Sequence, residues 1–307
     1  MHLRTMRRKV LFALVLLLLV GGLLGYRSLS TFADLRTPLV LQSKEPEKLE
    51  KKGRAILQKM AEVHGLAIWK EVLKKRWPLE VVAVDDWNAV FYAHWMGWWK
   101  KPVQRLRHIM LPGTFTSQVE LLDGPEKGLV FGLQNWRTYK KDKGKVILEK
   151  KALRTSFYLP AMQYFTEFPF RILSAGIVRY GGKSTFGGKV YHRVFATWGN
   201  EKPSKKYDQY DLWIDAKTWR MASCLYTVRE AFPSATGTIF FKDYRRVGGL
   251  LLSFDQWVML ESHKNFKDVP TSGWFHRWII QKAKLNKAVL NKLLVLQTHK
   301  PSNKKPE

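Results

Sequence analysis

A single cysteine, Cys224, in 307 residues excludes an internal disulfide and any Cys-rich zinc site. Only 13 Pro and 21 Gly exclude collagen-like and low-complexity classes. Negative charge is scarce: 25 Asp+Glu against 53 Lys+Arg give a net charge of +28, a field that favours anionic partners such as phospholipid head groups, nucleic acid or an acidic cell envelope. Enzyme signatures are missing too, with no G-x-S-x-G elbow, no H-E-x-x-H and no Walker loop. The eight histidines are scattered. The chain therefore reads as a non-enzyme without cofactor or metal site. At 46% hydrophobic and 13% aromatic it is too apolar to stay disordered.

The one long apolar run is N-terminal. Arg4, Arg7, Arg8 and Lys9 precede an uncharged stretch from Val10 to Tyr26, closed by Arg27, which is the order of an export signal. Its 17 residues would span roughly 25 Å of an approximately 30 Å hydrocarbon core. A single-pass signal-anchor over 1–26 in the inner membrane fits. A cleavable signal peptide also fits, because Ser28 and Ser30, or Thr31 and Ala33, offer small residues to a peptidase. Either way the bulk of the chain is expected on the periplasmic side.

A linker is expected over 27–46, followed by an amphipathic helix marked by Leu49, Ile56, Met60 and Val63 and ended at Gly65, with His64 beside the helix dipole. From Leu79 the period shifts toward two. Strands are expected at 79–84, 87–95, 104–111, 115–122 and 129–136, with Asp85-Asp86 as a polar turn, then at 190–198, 207–214, 219–228, 236–244 and 250–260 after a Gly-rich turn at 181–188. Two short helices interrupted by Pro160 and Pro169 separate these meanders. A basic C-terminal helix is expected from Trp274 to Gln297, followed by a polar tail.

The stretch Y-D-Q-Y-D-L-W-I-D-A-K-T-W-R-M from Tyr207, then F-K-D-Y-R-R-V-G-G-L from Phe241, resembles the hairpin series of exported LolA-like proteins. The block A-E-V-H-G from Ala61, with Trp69 four residues on, is similar to their opening helix. The resemblance implies a mostly β (α+β) domain over 47–273, a curved antiparallel sheet forming a half-barrel around short helices, with an apolar cavity that carries acyl chains or other lipids.

Strand parity nominates the cavity wall: Trp87, Phe91 and Trp95; Leu129, Phe131 and Leu133; Leu250, Leu252 and Phe254. The same faces would serve equally as ordinary core. Trp98-Trp99-Lys100-Lys101 has the composition of a membrane interface, and Lys284, Lys287 and Lys292 on the C-terminal helix are its second expected membrane-surface patch. Single-stranded nucleic acid also accepts aromatic and basic residues together, but an exported location removes that partner. Two functions follow. One is a membrane-tethered periplasmic carrier of a lipid or other apolar ligand; the other is an envelope scaffold with a packed core and a basic surface for a partner protein.

The charge asymmetry across the apolar run makes a topological prediction. Alkaline phosphatase fused after residue 307 should be active, and a fusion that signals only from the cytoplasm would reverse the orientation.

Overall fold

A computed structural model describes residues 30–88, 102–149, 154–260 and 268–298. The expected signal-anchor falls outside the described residues, as do Phe91, Trp95, Trp98, Trp99, Lys100 and Lys101. Among the described residues no helix is long and apolar enough to cross a membrane.

Helix α1 (Pro38–Gln42) starts where the Thr37 hydroxyl accepts from the Val40 amide at 3.3 Å. The stretch read as a linker lies on the domain here, with Leu35 and Val40 packed against Phe195. Helix α2 (Pro46–His64) buries Ile56, Leu57, Met60 and Ala61, the face set by a 3.6-residue period. Gly65 ends it with φ of 100° and allows α3 (Leu66–Lys75) to begin at once. A Cβ at Gly65 would sit 2.7 Å from the Gly249 carbonyl oxygen, so the residue serves both the turn and a close approach to the sheet.

Thirteen antiparallel strands follow among the described residues. The first meander comprises β1 (Leu79–Trp87), β2 (Val103–Leu111), β3 (Thr116–Leu121), β4 (Val130–Gln134), β5 (Arg137–Asp142) and β6 (Lys145–Leu148). A helical insertion comes next: a π-helical turn (Arg154–Tyr158), α4 (Leu159–Thr166), α5 (Phe168–Arg171) and a 3₁₀ turn (Ile172–Ser174). The second meander runs through β7 (Ile177–Phe186), β8 (Lys189–Thr197), β9 (Tyr210–Asp215), β10 (Met221–Thr227), β11 (Thr236–Val247), β12 (Leu250–Met259) and β13 (His276–Leu285). One open sheet results, in the order β6-β5-β4-β3-β2-β1-β13-β12-β11-β10-β9-β8-β7, so the last strand joins the two meanders by pairing with the first. Helices α2 and α4 touch strands toward opposite ends of this sheet, β7 and β8 for α2 and β3 and β4 for α4. The open sheet therefore curls around them.

Four local expectations change. The C-terminal helix is instead β13 and a set of short turns, because His276, Trp278 and Ile280 alternate inward and pair with β1 and β12. The apolar side of α6 (Leu290–Leu293) is occupied internally: Val289 and Leu293 pack on Ile109 and Leu111, on the outer face of β2. Lys284 lies 3.4 Å from Glu80, Lys287 covers the Trp77 ring at 4.8 Å, and Lys292 is exposed. Asp85-Asp86 is no turn but the inner end of β1, with Asp85 fully buried. Gly181-Gly182 forms a bulge within β7, and only Gly187-Gly188 turns the chain. His64 leaves the helix dipole for the sheet: its Nδ1 pairs with the Leu251 carbonyl at 2.8 Å while Nε2 accepts from the Met221 amide at 3.3 Å.

Burial holds the His64 imidazole down to about 4. His108, on the inner face of β2, is held down to about 3, and neither of its ring nitrogens has a hydrogen-bond partner among the described residues. Both fold as neutral rings. With folded values below the ordinary 6.5, the unfolded chain takes up the extra protons, so stability should fall as pH drops from about 6.5 toward 4. His108→Leu should cost less than about 1 kcal/mol at pH 7.5 and remove about 1.4 kcal/mol per pH unit of that acid slope. Urea unfolding at pH 7.5, 6 and 5 measures both quantities, and an unchanged slope would contradict the assignment.

Candidate functional site

The helical insertion is tied inside the curl at its start by a buried polar knot. The Asp85 carboxylate accepts from the Tyr158 hydroxyl, from His276 Nε2 at 2.5 Å and from the Trp87 indole at 3.0 Å. Tyr158 also lies 2.9 Å from His276 Nε2. These residues come from the insertion, the first strand and the last, and all are buried. Burial and the adjacent Asp85 charge push the Tyr158 phenol well up, so it stays a donor.

The same local grammar recurs on two other strands. Asp211 accepts from Trp213 at 3.1 Å and pairs with Arg193 at 2.5 Å, and Asp255 accepts from Trp257 at 2.7 Å and pairs with Arg277 at 2.7 Å. Residues i and i+2 of a strand share a face, so an Asp-x-Trp tripeptide places indole beside carboxylate automatically. Three Asp-x-Trp pairs stand in the sequence as the available signal. In the inward-facing one the cationic partner is replaced by His276.

Beside the knot, between the insertion and the ends of β8 to β10, lies a cavity of about 410 Å³, within the range of small-molecule sites. One wall is Phe157, Pro160, Ala161, Tyr164 and Phe165 of the insertion; the other is Trp198, Tyr210, Tyr226 and Val228. The rings are half-buried and touch one another, with Phe165 and Tyr226 at 4.9 Å and Trp198 and Tyr210 at 5.5 Å. Phe115 and Trp136 close one end, 5.2 Å apart. Trp136 belongs to the two-residue β4–β5 turn with Asn135 rather than to the expected strand, and both have positive φ (59° and 52°). Asn suits that conformation and Trp does not, yet here the indole is held 67% exposed at the cavity mouth.

Charge in the cavity is arranged sparingly. Arg171 donates to Glu167 at 2.7 Å and to the Thr114 carbonyl, and it stacks on Phe115 at 4.4 Å. Glu167 is fully buried and also accepts from Gln163 at 2.9 Å and the Gly113 amide at 3.2 Å; burial raises its carboxyl against these partners. Asp208 accepts from Thr227 at 2.8 Å and the Arg229 amide at 3.0 Å, and burial raises it as well. Glu230 stands exposed at the rim. No group of three or more metal-ligating side chains converges among the described residues.

The seven described residues nominated for a cavity wall, Trp87, Leu129, Phe131, Leu133, Leu250, Leu252 and Phe254, form one buried cluster with Leu159, Met162 and Phe170 of the insertion. None of them lines the 410 Å³ cavity. A larger hollow of about 630 Å³ opens on the opposite, convex face between Glu80, Arg105, Arg107, Lys282 and Lys284. Its walls mix these charged side chains with Val82, Leu122 and Ala283, and the charges are partly paired, with Arg107 meeting Glu120 at 2.8 Å and Glu80 at 3.4 Å.

No family model matches the chain, and no curated protein does. Among solved structures the chain is similar to a LolA superfamily protein from Nitrosomonas europaea, with 11% identity, a TM-score of 0.46 and coverage of 76% of this chain and 93% of that one. It is also similar to a DUF1329 family protein from Desulfovibrio piger, with 10% identity, a TM-score of 0.47 and coverage of 78% and 94%. The family whose hairpins the sequence resembles is thus represented among the matches.

The knot should carry measurable stability. Tyr158→Phe removes one hydroxyl donor from a buried carboxylate and should cost about 1.5–3 kcal/mol, with Asp85→Ala costing more because it strands His276 and Trp87 together. Urea unfolding reads the loss. Amide exchange across 154–174 should quicken in Tyr158→Phe, and an unaltered insertion would mean that the knot does not hold it.

Proposed function

We propose that the chain is an exported, membrane-tethered binding protein that takes an apolar ligand into the cavity between its helical insertion and the ends of β8 to β10. The observation that carries this reading is the cavity wall, where aromatic rings from both sides meet at points such as Phe165 and Tyr226 yet stay half-buried around about 410 Å³ of open volume. A protein interior packs such rings to crystal-like density when nothing else must fit between them. Trp136, exposed in a left-handed turn at the mouth, adds a residue whose local conformational cost has no return in core packing. A buried chain of eight methylenes gains roughly 6 kcal/mol before ordering costs, which suffices for binding without a dense set of polar contacts.

This is the carrier reading with its site relocated. The nominated inner-face residues supply the packed floor, and the insertion supplies the ligand-facing wall. One observation favours the scaffold alternative, namely that the insertion fills the deeper concavity with side chains. Under that alternative the convex cations Arg105, Lys282 and Lys284 would dock an anionic envelope component.

Uptake of a fluorescent fatty acid by the full-length protein separates the two. Ala161→Trp, which fills the cavity from α4, should reduce uptake at least tenfold while the unfolding free energy from urea titration stays within about 1 kcal/mol of wild type. Phe131→Arg should lower stability first, since it places an unpaired charge in the packed floor. Wild-type protein that takes up no probe would leave the scaffold reading in place.

A further inference from the structure

The sign of the charge inside the cavity is opposite to that of the molecule. A chain of net charge +28 presents two carboxylates to the cavity, Asp208 and Glu230, and one cation, Arg171. Arg171 is already committed to buried Glu167 and to the Thr114 carbonyl. Arg229, next to Asp208 in the fold, turns its guanidinium to the carbonyls of Ala33 and Pro233 and does not line the cavity. The two hydrogen bonds to the Asp208 side chain both end on Oδ1.

The carboxylates share the cavity lining with several aromatic rings. Tyr164, Trp198, Tyr210 and Tyr226 line the same volume as Asp208 and Glu230, with the Tyr164 and Tyr210 centroids 6.0 Å apart and those of Tyr164 and Trp198 6.3 Å apart. Burial keeps the Tyr210 and Tyr226 phenols neutral, so their rings keep the negative quadrupole face of an uncharged arene. An aromatic enclosure with a carboxylate at its edge is the chemistry that recognises an ammonium group, by cation–π attraction together with direct charge pairing. An anionic head group would meet Asp208 and Glu230 with the wrong sign.

We propose that the ligand taken into this cavity carries a cationic amine or quaternary ammonium head, held between the tyrosine and tryptophan rings and the Asp208 and Glu230 carboxylates, with its apolar part along Phe157, Ala161 and Phe165. The inference deepens the binding reading above and rests on it. It also reconciles a basic exterior with this cavity: the overall positive field draws the protein to anionic surfaces, and the cavity reverses that preference at short range, where the low-dielectric walls screen the local carboxylates least.

Three surfactants of one tail length, used below their micelle concentrations, provide the test: decyltrimethylammonium, neutral dimethyldecylphosphine oxide and anionic decyl sulfate. Binding to full-length protein is followed by tryptophan fluorescence, and a folded state common to all variants is checked by urea midpoint. The ammonium probe should bind at least tenfold more tightly than the phosphine oxide. Asp208→Asn with Glu230→Gln should bring the two probes level without weakening the neutral one. Glu230→Gln alone, at an exposed rim position that does not threaten folding, should lower the ammonium preference about threefold. Equal affinity of the ammonium and neutral probes in the wild type, or tightest cavity binding by decyl sulfate that Ala161→Trp abolishes, would overturn the cationic head group and leave the binding function standing. Binding of none of the three, or binding of all three unaffected by Ala161→Trp, would overturn both.

Discussion

Pairing of the first strand with the last is the constraint on which everything else in this molecule depends. Strands β1 and β13 are separated by about two hundred residues of chain, and between them lie both meanders and the helical insertion. Closing a loop of that length is entropically costly, though the cost grows only slowly with length. The backbone ladder from Leu79–Leu285 to Trp87–His276 and the apolar contacts beneath it offset that cost. The Asp85 knot sits at one end of this seam and recruits Tyr158, so the same few side chains that register the two meanders also fix the insertion in the concavity.

What the insertion does inside the curl differs along its length. Leu159 and Met162 face the floor and complete a packed core with Trp87, Phe131 and Phe254. Ala161, Tyr164 and Phe165 face away from that core and form one wall of the cavity. An eight-residue helix thus presents two chemically different faces to two different neighbours, which is possible because its apolar residues surround it rather than forming one stripe. Glu167 and Arg171 anchor its far end to the β2–β3 loop through Gly113 and Thr114. The insertion is therefore fixed at both ends by buried polar groups while its middle stays free to line an opening.

The convex face is finished by a different economy. Val289 and Leu293 cover Ile109 and Leu111 near β2, and Trp257, Trp274 and Phe240 form a second outer cluster with Lys242 lying 3.4 Å from the Trp257 ring centroid. Cations here cover aromatic and aliphatic surface as much as they pair with acids, which suits a chain with twice as many basic as acidic residues.

By itself the sequence determined the basic-then-apolar order of the N-terminal run, the two meanders and the helical break between them, because these rest on charge order, local periodicity, turn residues and proline. Period two in Leu79–Val84 and the break at Pro160 are each legible within a few residues. Only the tertiary structure decided which of the apolar faces is floor and which is opening. Phe131 and Phe165 carry the same side chain, and what separates them is the neighbour each meets from a distant part of the chain. Long-range pairing also decided Asp85, which its neighbour Asp86 makes look like a turn until His276 and Tyr158 arrive from 191 and 73 residues away. It likewise made β13 a strand, since Trp278, Leu285, Val289, Leu293 and Leu296 satisfy a helical spacing, and hydrogen bonds to β1 and β12 select the extended form over His276–Leu285.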